Sequence, residues 1–367
     1  MTGSVKPITI LGAGKIGFAA ALLLKQAGDY RIVVVDHDEN QLKGLAALGF
    51  EVVVANDDAS LASAVSGRYA VLNALPFHRA VSVASMCAHE GVHYFDLTED
   101  VGSTKAIRAM AVNARSVLMP QCGLAPGFIG ILGHDLVRRF DTLRDLHLRV
   151  GALPRHALNR LRYNLTWSTE GLINEYCNPC DAMVNGEATQ VMALEGYETF
   201  SLDGVEYEAF NTSGGLGTLA ETLRGKARNV NYKSLRYPGH CAIMKLLLND
   251  LGLRERRELL KDILETAIPA TEQDVVVVFV TASGYCNQRL MQASHSARML
   301  GADIGGHRLS AIQLMTATGI CTALDLVAEG ALPQSGFIGQ EQIALGQFLQ
   351  NRFGQVCAGH FAEARPS

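Results

Sequence analysis

The stretch that most constrains this chain is Ile8-Thr9-Ile10-Leu11-Gly12-Ala13-Gly14-Lys15-Ile16-Gly17-Phe18. A short apolar, β-branched run leads into G-x-G-x-x-G, and a helical pattern follows. The glycine triplet alone is a weak signal, but its surroundings agree with it. Gly12 allows a tight turn, Gly14 lets backbone approach a pyrophosphate, and Gly17 lets the helix pack closely on the strand. Ile16, Ala19, Ala20, Leu23 and Leu24 recur at helical spacing. A second strand, Arg31 to Val35, ends in Asp36, about 20 residues beyond the glycines, where a ribose-binding acid belongs. The candidate dinucleotide contacts are therefore Gly12, Gly14, Lys15, Ile16, Gly17 and Asp36. A carboxylate at Asp36 favours a ribose 2′-OH and repels a 2′-phosphate, and His37-Asp38-Glu39 supplies no Arg for the phosphate. The expected cofactor is NAD.

From Pro7 to about Pro120, strand and helix patterns alternate. Strands are expected at 7–11, 30–36, 51–54, 69–74, 93–96 and 116–120. Helices are expected near 15–27, 38–48, 58–66, 79–90 and 101–113. This is the pattern of a doubly wound, Rossmann-type parallel sheet with right-handed crossovers. After Pro126-Gly127 comes an amphipathic helix, 128–140, and the rhythm changes. Strands at 143–150, 161–167 and 204–210 are expected with long polar loops between them. Helices near 240–251 and 254–266 and strands near 273–282 and 288–296 follow, an α+β domain with a mostly antiparallel sheet. At 310–329 a helical stripe returns: Ile312, Met315, Thr316, Gly319, Ala323, Leu326 and Val327. A chain of 367 residues exceeds one small core, so two domains are expected.

Composition excludes some classes. The formal net charge is −4 without basic blocks, so no nucleic-acid partner is expected. No apolar run is read as long enough to cross a bilayer; the strongest, Val275 to Val280, reads as a strand. Met1 to Pro7 lacks a signal-peptide core, and the 8 Cys are scattered, so a cytoplasmic protein with reduced thiols is expected. Cys177-Asn178-Pro179-Cys180 has C-x-x-C spacing with no second ligand pair, so a turn set by Asn178-Pro179 is preferred to a metal or redox site.

Ligands of such sheets sit beyond the carboxyl ends of the strands. Leu75-Pro76-Phe77-His78 follows the fourth strand there. Leu75 and Pro76 are assigned to the cofactor and Phe77 to the ring or substrate. His78 can shuttle a proton or simply open a helix in solvent. Asp96, after Tyr94-Phe95, is the chemical candidate at the fifth strand. Thr98 and Asp100 are expected to cap the next helix. Cys122 and Gly123 begin the loop that joins the domains and are read as lining the cleft. In the second domain, Gly214-Gly215-Leu216-Gly217-Thr218 and Tyr232-Lys233-Ser234-Leu235-Arg236-Tyr237-Pro238-Gly239-His240 read as irregular sequence opening a helix. Arg236 can hold a carboxylate bidentately, with Thr218, His240 and a helix N-terminus as company. A surface Arg on a dimer loop is the alternative.

These residues resemble the saccharopine dehydrogenase superfamily, and within it the lysine 6-dehydrogenases. The resemblance is carried by the glycine loop, Tyr94-Phe95-Asp96-Leu97, Gly123-Leu124-Ala125-Pro126-Gly127-Phe128, Cys177-Asn178-Pro179-Cys180, Gly214 to Leu219, Leu235 to His240, and the ending through Phe337-Ile338-Gly339-Gln340-Glu341. It implies that the tail completes the nucleotide domain: 1–125 with 310–367, around a substrate and dimerisation domain of 126–309. It also implies a homodimer and NAD-dependent oxidative deamination of the ε-amine of L-lysine to allysine, which cyclises to piperideine-6-carboxylate. Asp96 or His78 is the expected base. Arg236 is expected to hold the α-carboxylate, facing Asp96 across the cleft. The rivals are a secondary-amine enzyme that forms saccharopine or carboxynorspermidine, and a non-enzymatic NAD sensor.

Overall fold

The computed structural model describes residues 5–361. They fall into two compact units: one takes the residues up to Phe128, Asp303–Leu309 and Gln313–Ala358, the other Ile129–Ala302, Ser310–Ile312 and the residues from Gly359.

In the first unit β1 (Lys6–Leu11), α1 (Lys15–Ala27), β2 (Tyr30–Asp36), α2 (Glu39–Ala47), β3 (Glu51–Val54), α3 (Asp58–Val65), β4 (Ala70–Asn73), α4 (Ala80–Glu90), β5 (His93–Asp96), α5 (Val101–Ala111) and β6 (Val117–Met119) alternate, close to the expected bounds. The sheet is parallel in the order β6-β5-β4-β1-β2-β3, and Gly336–Phe337 adds a short parallel strand beside β6. Ile8, Ile10 and Val33 to Val35 are almost wholly buried, as strands covered on both faces must be. The order reverses between β1 and β4, which defines the switch point where such sheets bind ligands. Asp38, Asp57 and Asp100 cap the helices that follow them. Thr98 does not cap a helix; its hydroxyl accepts from Asp100 N–H at 3.1 Å and shapes the approach to α5.

The second unit opens with α6 (Phe128–Val137, from Ile129 on) and β7 (Thr142–Pro154), followed by α7 (Thr169–Cys177), β8 (Cys180–Val184), β9 (Glu187–Val191), β10 (Glu198–Leu202), β11 (Val205–Asn211), α8 (Leu219–Thr222), β12 (Asn229–Arg236), α9 (His240–Lys245), α10 (Arg257–Ala267), β13 (Asp274–Cys286) and β14 (Arg289–Leu300). Its main sheet runs β10-β11-β12-β7-β13-β14, and β8 pairs with β12 and β9. Among the described strands of this sheet, β12 and β7 pair in parallel and the other pairs are antiparallel. The expected strand at 161–167 is absent: Leu165 makes a single bridge to Ala270. The expected long polar loops are instead α7 and two hairpins. Their signals stood in the sequence. Asn185-Gly186 joins β8 to β9 and Asp203-Gly204 joins β10 to β11, each pair at positive φ as a type I′ turn demands. The sheet also rolls up. Phe200 on β10 lies 5.3 Å from Phe279 on β13, ring to ring, although β11, β12 and β7 separate their strands. Glu198 on β10 is thereby brought to Arg149 on β7 and Lys233 on β12.

The tail supplies α11 (Ala311–Ala328). In the second unit Asp274 caps its start, accepting from Ala311 N–H at 2.6 Å and Ile312 N–H at 2.9 Å. From Gln313 on, the helix belongs to the first unit. It is long and apolar enough to cross a membrane, contrary to the sequence expectation, but 83% of it is buried inside the fold. A buried helix is apolar on all sides, so the one-sided stripe was too narrow a description. Gly319 is required: a Cβ there would sit 2.5 Å from the carbonyl of Cys122. The buried Asp325 is neutralised by its neighbours, accepting from Tyr30 Oη at 2.5 Å, Asn351 Nδ2 at 2.7 Å and Arg352 Nε at 3.0 Å.

Candidate active site

The glycine loop separates what the protein needs from what a ligand needs. A Cβ on Gly12 would lie 2.8 Å from Ala74 O, and Gly12 already has φ +100°. A Cβ on Gly17 would collide with the carbonyl of Gly12. Both glycines are therefore demanded by the fold. At Gly14 a Cβ would meet nothing nearer than Gln41 Oε1 at 3.8 Å. The bare Cα of Gly14 leaves open room beside the start of α1, whose first turn carries neither a side-chain cap nor an acid. Lys15 and Ile16 supply the first N–H groups there. Free donors, the positive end of the helix dipole and unclaimed space suit a diphosphate.

Asp36 is buried at the end of β2. Its Oδ2 accepts from Ala13 N–H at 2.6 Å and its Oδ1 from Asp38 N–H at 2.9 Å, with His37 Nδ1 also 2.9 Å away. The acid thus braces the glycine loop while standing where a ribose is read.

After β4, Asn73 Oδ1 accepts from Leu75 N–H at 3.2 Å and sets the course of Leu75-Pro76. Phe77 and His78 lie in a 3-10 turn, Phe77–Arg79, Phe77 half-buried and His78 exposed. Asp96 is placed differently from a solvent-facing base. It is 1% exposed. Tyr94 Oη donates to Oδ2 at 2.7 Å, and the N–H groups of Thr98 and Gln121 donate to Oδ1 at 3.0 and 2.9 Å. Burial raises its carboxyl to about 6, against the pull of these donors. Asp96 thereby holds Gln121, which sits at φ +66°, in a left-handed conformation uncommon for a side-chain-bearing residue. Cys122 is fully buried, donating to Met119 O at 3.1 Å and accepting from Gln340 Nε2 at 3.2 Å. Burial, with Asp96 adding to it, pushes its thiol well up. Gly123 is buried in a tight loop in which a Cβ on Gly127 would strike it. Cys122 and Gly123, read as lining the cleft, are both buried in this unit, where they shape the loop.

In the second unit the expected irregular segment is β12, and Arg236 is its last residue, 3% exposed. Its Nε donates to Tyr176 Oη at 2.8 Å and its Nη1 to Leu235 O at 2.8 Å. The guanidinium lies 5.1 Å from the ring centre of Tyr163 and 5.7 Å from that of Tyr176. Against the cost of burial, the ring oxygens of Tyr176 and Tyr163 and the charge of Glu175, a buried carboxylate on α7, favour the charged guanidinium. His240 is fully buried, with Nδ1 2.9 Å from Leu161 O and Nε2 3.0 Å from Tyr176 Oη. A carbonyl only accepts, so Nδ1 carries the proton and Nε2 accepts from Tyr176. The tyrosine oxygen is then free to accept from Arg236. Burial, followed by the charge of Arg236, lowers the His240 imidazole to about 3. The helix N-terminus expected to bind an anion is already filled. Glu208 accepts from Gly239 N–H at 2.7 Å and Cys241 N–H at 2.5 Å. Gly215 is a packing glycine, since a Cβ there would strike the Tyr232 ring. Thr218 is buried beside α8. Cys177 and Cys180 lie at the end of α7 and the start of β8, and both thiols are buried. Sequence reasoning missed Tyr163 and Tyr176, whose helix and loop were misread.

Fold and site define an oxidoreductase built around a nicotinamide dinucleotide. The saccharopine dehydrogenase NADP binding domain matches residues 8–117 and the saccharopine dehydrogenase C-terminal domain matches 123–353. The chain belongs to the saccharopine dehydrogenase family. It is 24% identical over 253 residues to the mouse mitochondrial alpha-aminoadipic semialdehyde synthase, covering 60% of this chain and 27% of that protein. The rat protein of the same name is 23% identical over 199 residues, 51% of this chain and 21% of its own length. The chain thus spans about a quarter of the curated relatives it matches. Apo saccharopine dehydrogenase (L-Glu forming) from Saccharomyces cerevisiae has the same fold, with a TM-score of 0.74 at 16% identity over 92% of this chain and 94% of that one.

Proposed function

We propose that the chain catalyses NAD-dependent oxidative deamination of the ε-amine of L-lysine, giving allysine, which cyclises to piperideine-6-carboxylate, with ammonia and NADH. The observation that carries this reading is the buried Arg236, a planar cation whose Nε donates to Tyr176 and which lies against the rings of Tyr163 and Tyr176. An α-carboxylate would complete it bidentately. The nicotinamide, when bound, accepts hydride from the amine-bearing carbon. The ammonium must first lose a proton. Asp96 has both oxygens engaged and buried, so we assign that proton to His78 on its exposed turn and give Asp96 the task of holding the 121–123 loop. Water then adds to the imine carbon and ammonia leaves. The test is NADH formation across a panel of amino acids and polyamines. Turnover of lysine above all others supports the reading, and preference for saccharopine overturns it.

The names of the matching family domains and of the yeast structure favour the second reading, a saccharopine-type enzyme acting on a secondary amine. Its larger, multiply carboxylated substrates call for more than one basic anchor. Two other cations buried or nearly so in the second unit, Arg149 and Lys233, are both paired with Glu198. That favours the single-carboxylate end of lysine.

We also assign NAD rather than NADP, on the carboxylate of Asp36, although the matching domain is described as NADP binding. Asp36→Ala is expected to weaken NAD binding by roughly 1–3 kcal/mol and to narrow the preference over NADP, read as kcat/KM with each cofactor. Higher wild-type efficiency with NADP refutes the assignment.

A further inference from the structure

Strand β14 ends the main sheet of the second unit. β13 has neighbours on both sides, so the outer edge of β14 carries the backbone groups that no strand among the described residues pairs. Natural proteins guard a long edge with proline, charged side chains, a bulge, a short strand or a covering segment. β14 is long and carries two charges, Arg289 and Arg298, but none of the proline, lysine or bulge devices. Arg289 to Leu300 contains no Pro, Gly or Lys, and its register against β13 runs without a shift from Val275↔Leu300 to Cys286↔Arg289.

The sequence of this edge adds a second observation. Leu290-Met291-Gln292-Ala293-Ser294-His295-Ser296-Ala297-Arg298-Met299-Leu300 reads nearly the same in both directions about His295. Antiparallel pairing of this strand with itself, centred there, sets Leu290 against Leu300, Met291 against Met299, Ala293 against Ala297, and Ser294 against Ser296. The one unlike pair, Gln292 with Arg298, avoids placing two guanidinium groups together. Pairing about a residue also preserves the alternation of side chains. Exposed Ser294 meets exposed Ser296, and the buried Ala297 and Met299 meet residues of the same face. Leu290, Met291 and Leu300, now 58, 51 and 49% exposed, become interior to a longer sheet. On the axis, the His295 side chain is held within its own unit, Nε2 3.0 Å from Asp135 Oδ2, so backbone meets backbone there.

We propose that β14 pairs antiparallel with β14 of a second copy of this chain, across a twofold axis at His295, joining the two sheets. Such an interface is isologous and draws its affinity from main-chain hydrogen bonds. It stands independently of the reaction assigned above.

The register is tested by cysteine cross-linking of two variants, Ser294→Cys and Ser296→Cys. Oxidised as a mixture they are expected to form a disulfide between chains. Each alone is expected to cross-link at least tenfold less, because like positions stand two residues out of register. Sedimentation equilibrium of the wild type at micromolar concentration is expected to give a dimer. The S294D/S296D double variant, which sets acid against acid, is expected to give a monomer with the same circular dichroism. A wild-type monomer, a dimer that survives S294D/S296D, or cross-linking no greater in the mixture than in either variant alone overturns the proposal.

Discussion

Arg236→Ala is expected to raise the KM for the amino-acid substrate by about 30- to 1000-fold while leaving kcat within a few-fold. Carboxylate binding is much the same in the ground and transition states, so its loss appears in KM. Two charge-assisted hydrogen bonds together correspond to about 2–4 kcal/mol, which sets that range. The side chain also fills space beside Tyr163 and Tyr176. Arg236→Lys therefore serves as a companion: it keeps the charge and most of the volume but loses the planar fork. It is expected to recover part of the affinity, and free guanidinium is expected to recover part of it for the alanine variant. Dinucleotide binding, measured by fluorescence titration, is expected to be unchanged in both. A KM that does not move shows that Arg236 is a structural cation, and the lysine reading loses its anchor.

The wild-type protein is expected to lose stability steeply as pH falls from about 6.5 toward 3, and His240→Gln is expected to flatten that loss. In the unfolded chain an imidazole takes its proton near pH 6.5. In the folded protein burial, then the Arg236 charge, holds it off until about 3. The unfolded state binds more protons throughout that window, so stability declines as pH falls through it. A shift of this size corresponds to on the order of 3–5 kcal/mol. Glutamine can still donate to Leu161 O and accept from Tyr176, so the network survives without a titrating group. Asp96 acts in the opposite sense: its carboxyl, raised to about 6, protonates in the folded state first and favours folding below that pH. The measurement is therefore the difference between wild type and variant in urea midpoint from pH 7 to pH 4. Parallel curves mean that His240 is not held neutral.

Much of the first unit was legible because short-range rules and the sheet's layering agree there. Strands covered on both faces read as apolar runs, the helices between them carry their own caps, and Gly12, Gly17 and Asp36 sit where one βαβ unit requires them. The second unit was less legible. Its sheet rolls, so Glu198 on β10 answers to Arg149 and Lys233 on strands far away in sequence. Polar residues on such strands look like loop to a local reading. Even so, Asn185-Gly186 and Asp203-Gly204 marked two hairpins that periodicity overlooked.

The sequence by itself determined the glycine loop and the acid that ends β2 beside it, and it marked Arg236 as a candidate, because each depends on residue type at a short spacing. Only the tertiary structure decided what those residues can do. Asp96 and His240 are titratable residues in the sequence. Folding surrounds the first with three donors and strips water from both, which turns a candidate base into a loop anchor and a candidate ligand group into a neutral relay to Tyr176. Tyr94 and Thr98 are neighbours of Asp96 in the chain, but Gln121 is 25 positions from it, and Tyr176 and Leu161 are 64 and 79 from His240. Those partners, and the burial of both groups, come only with the fold.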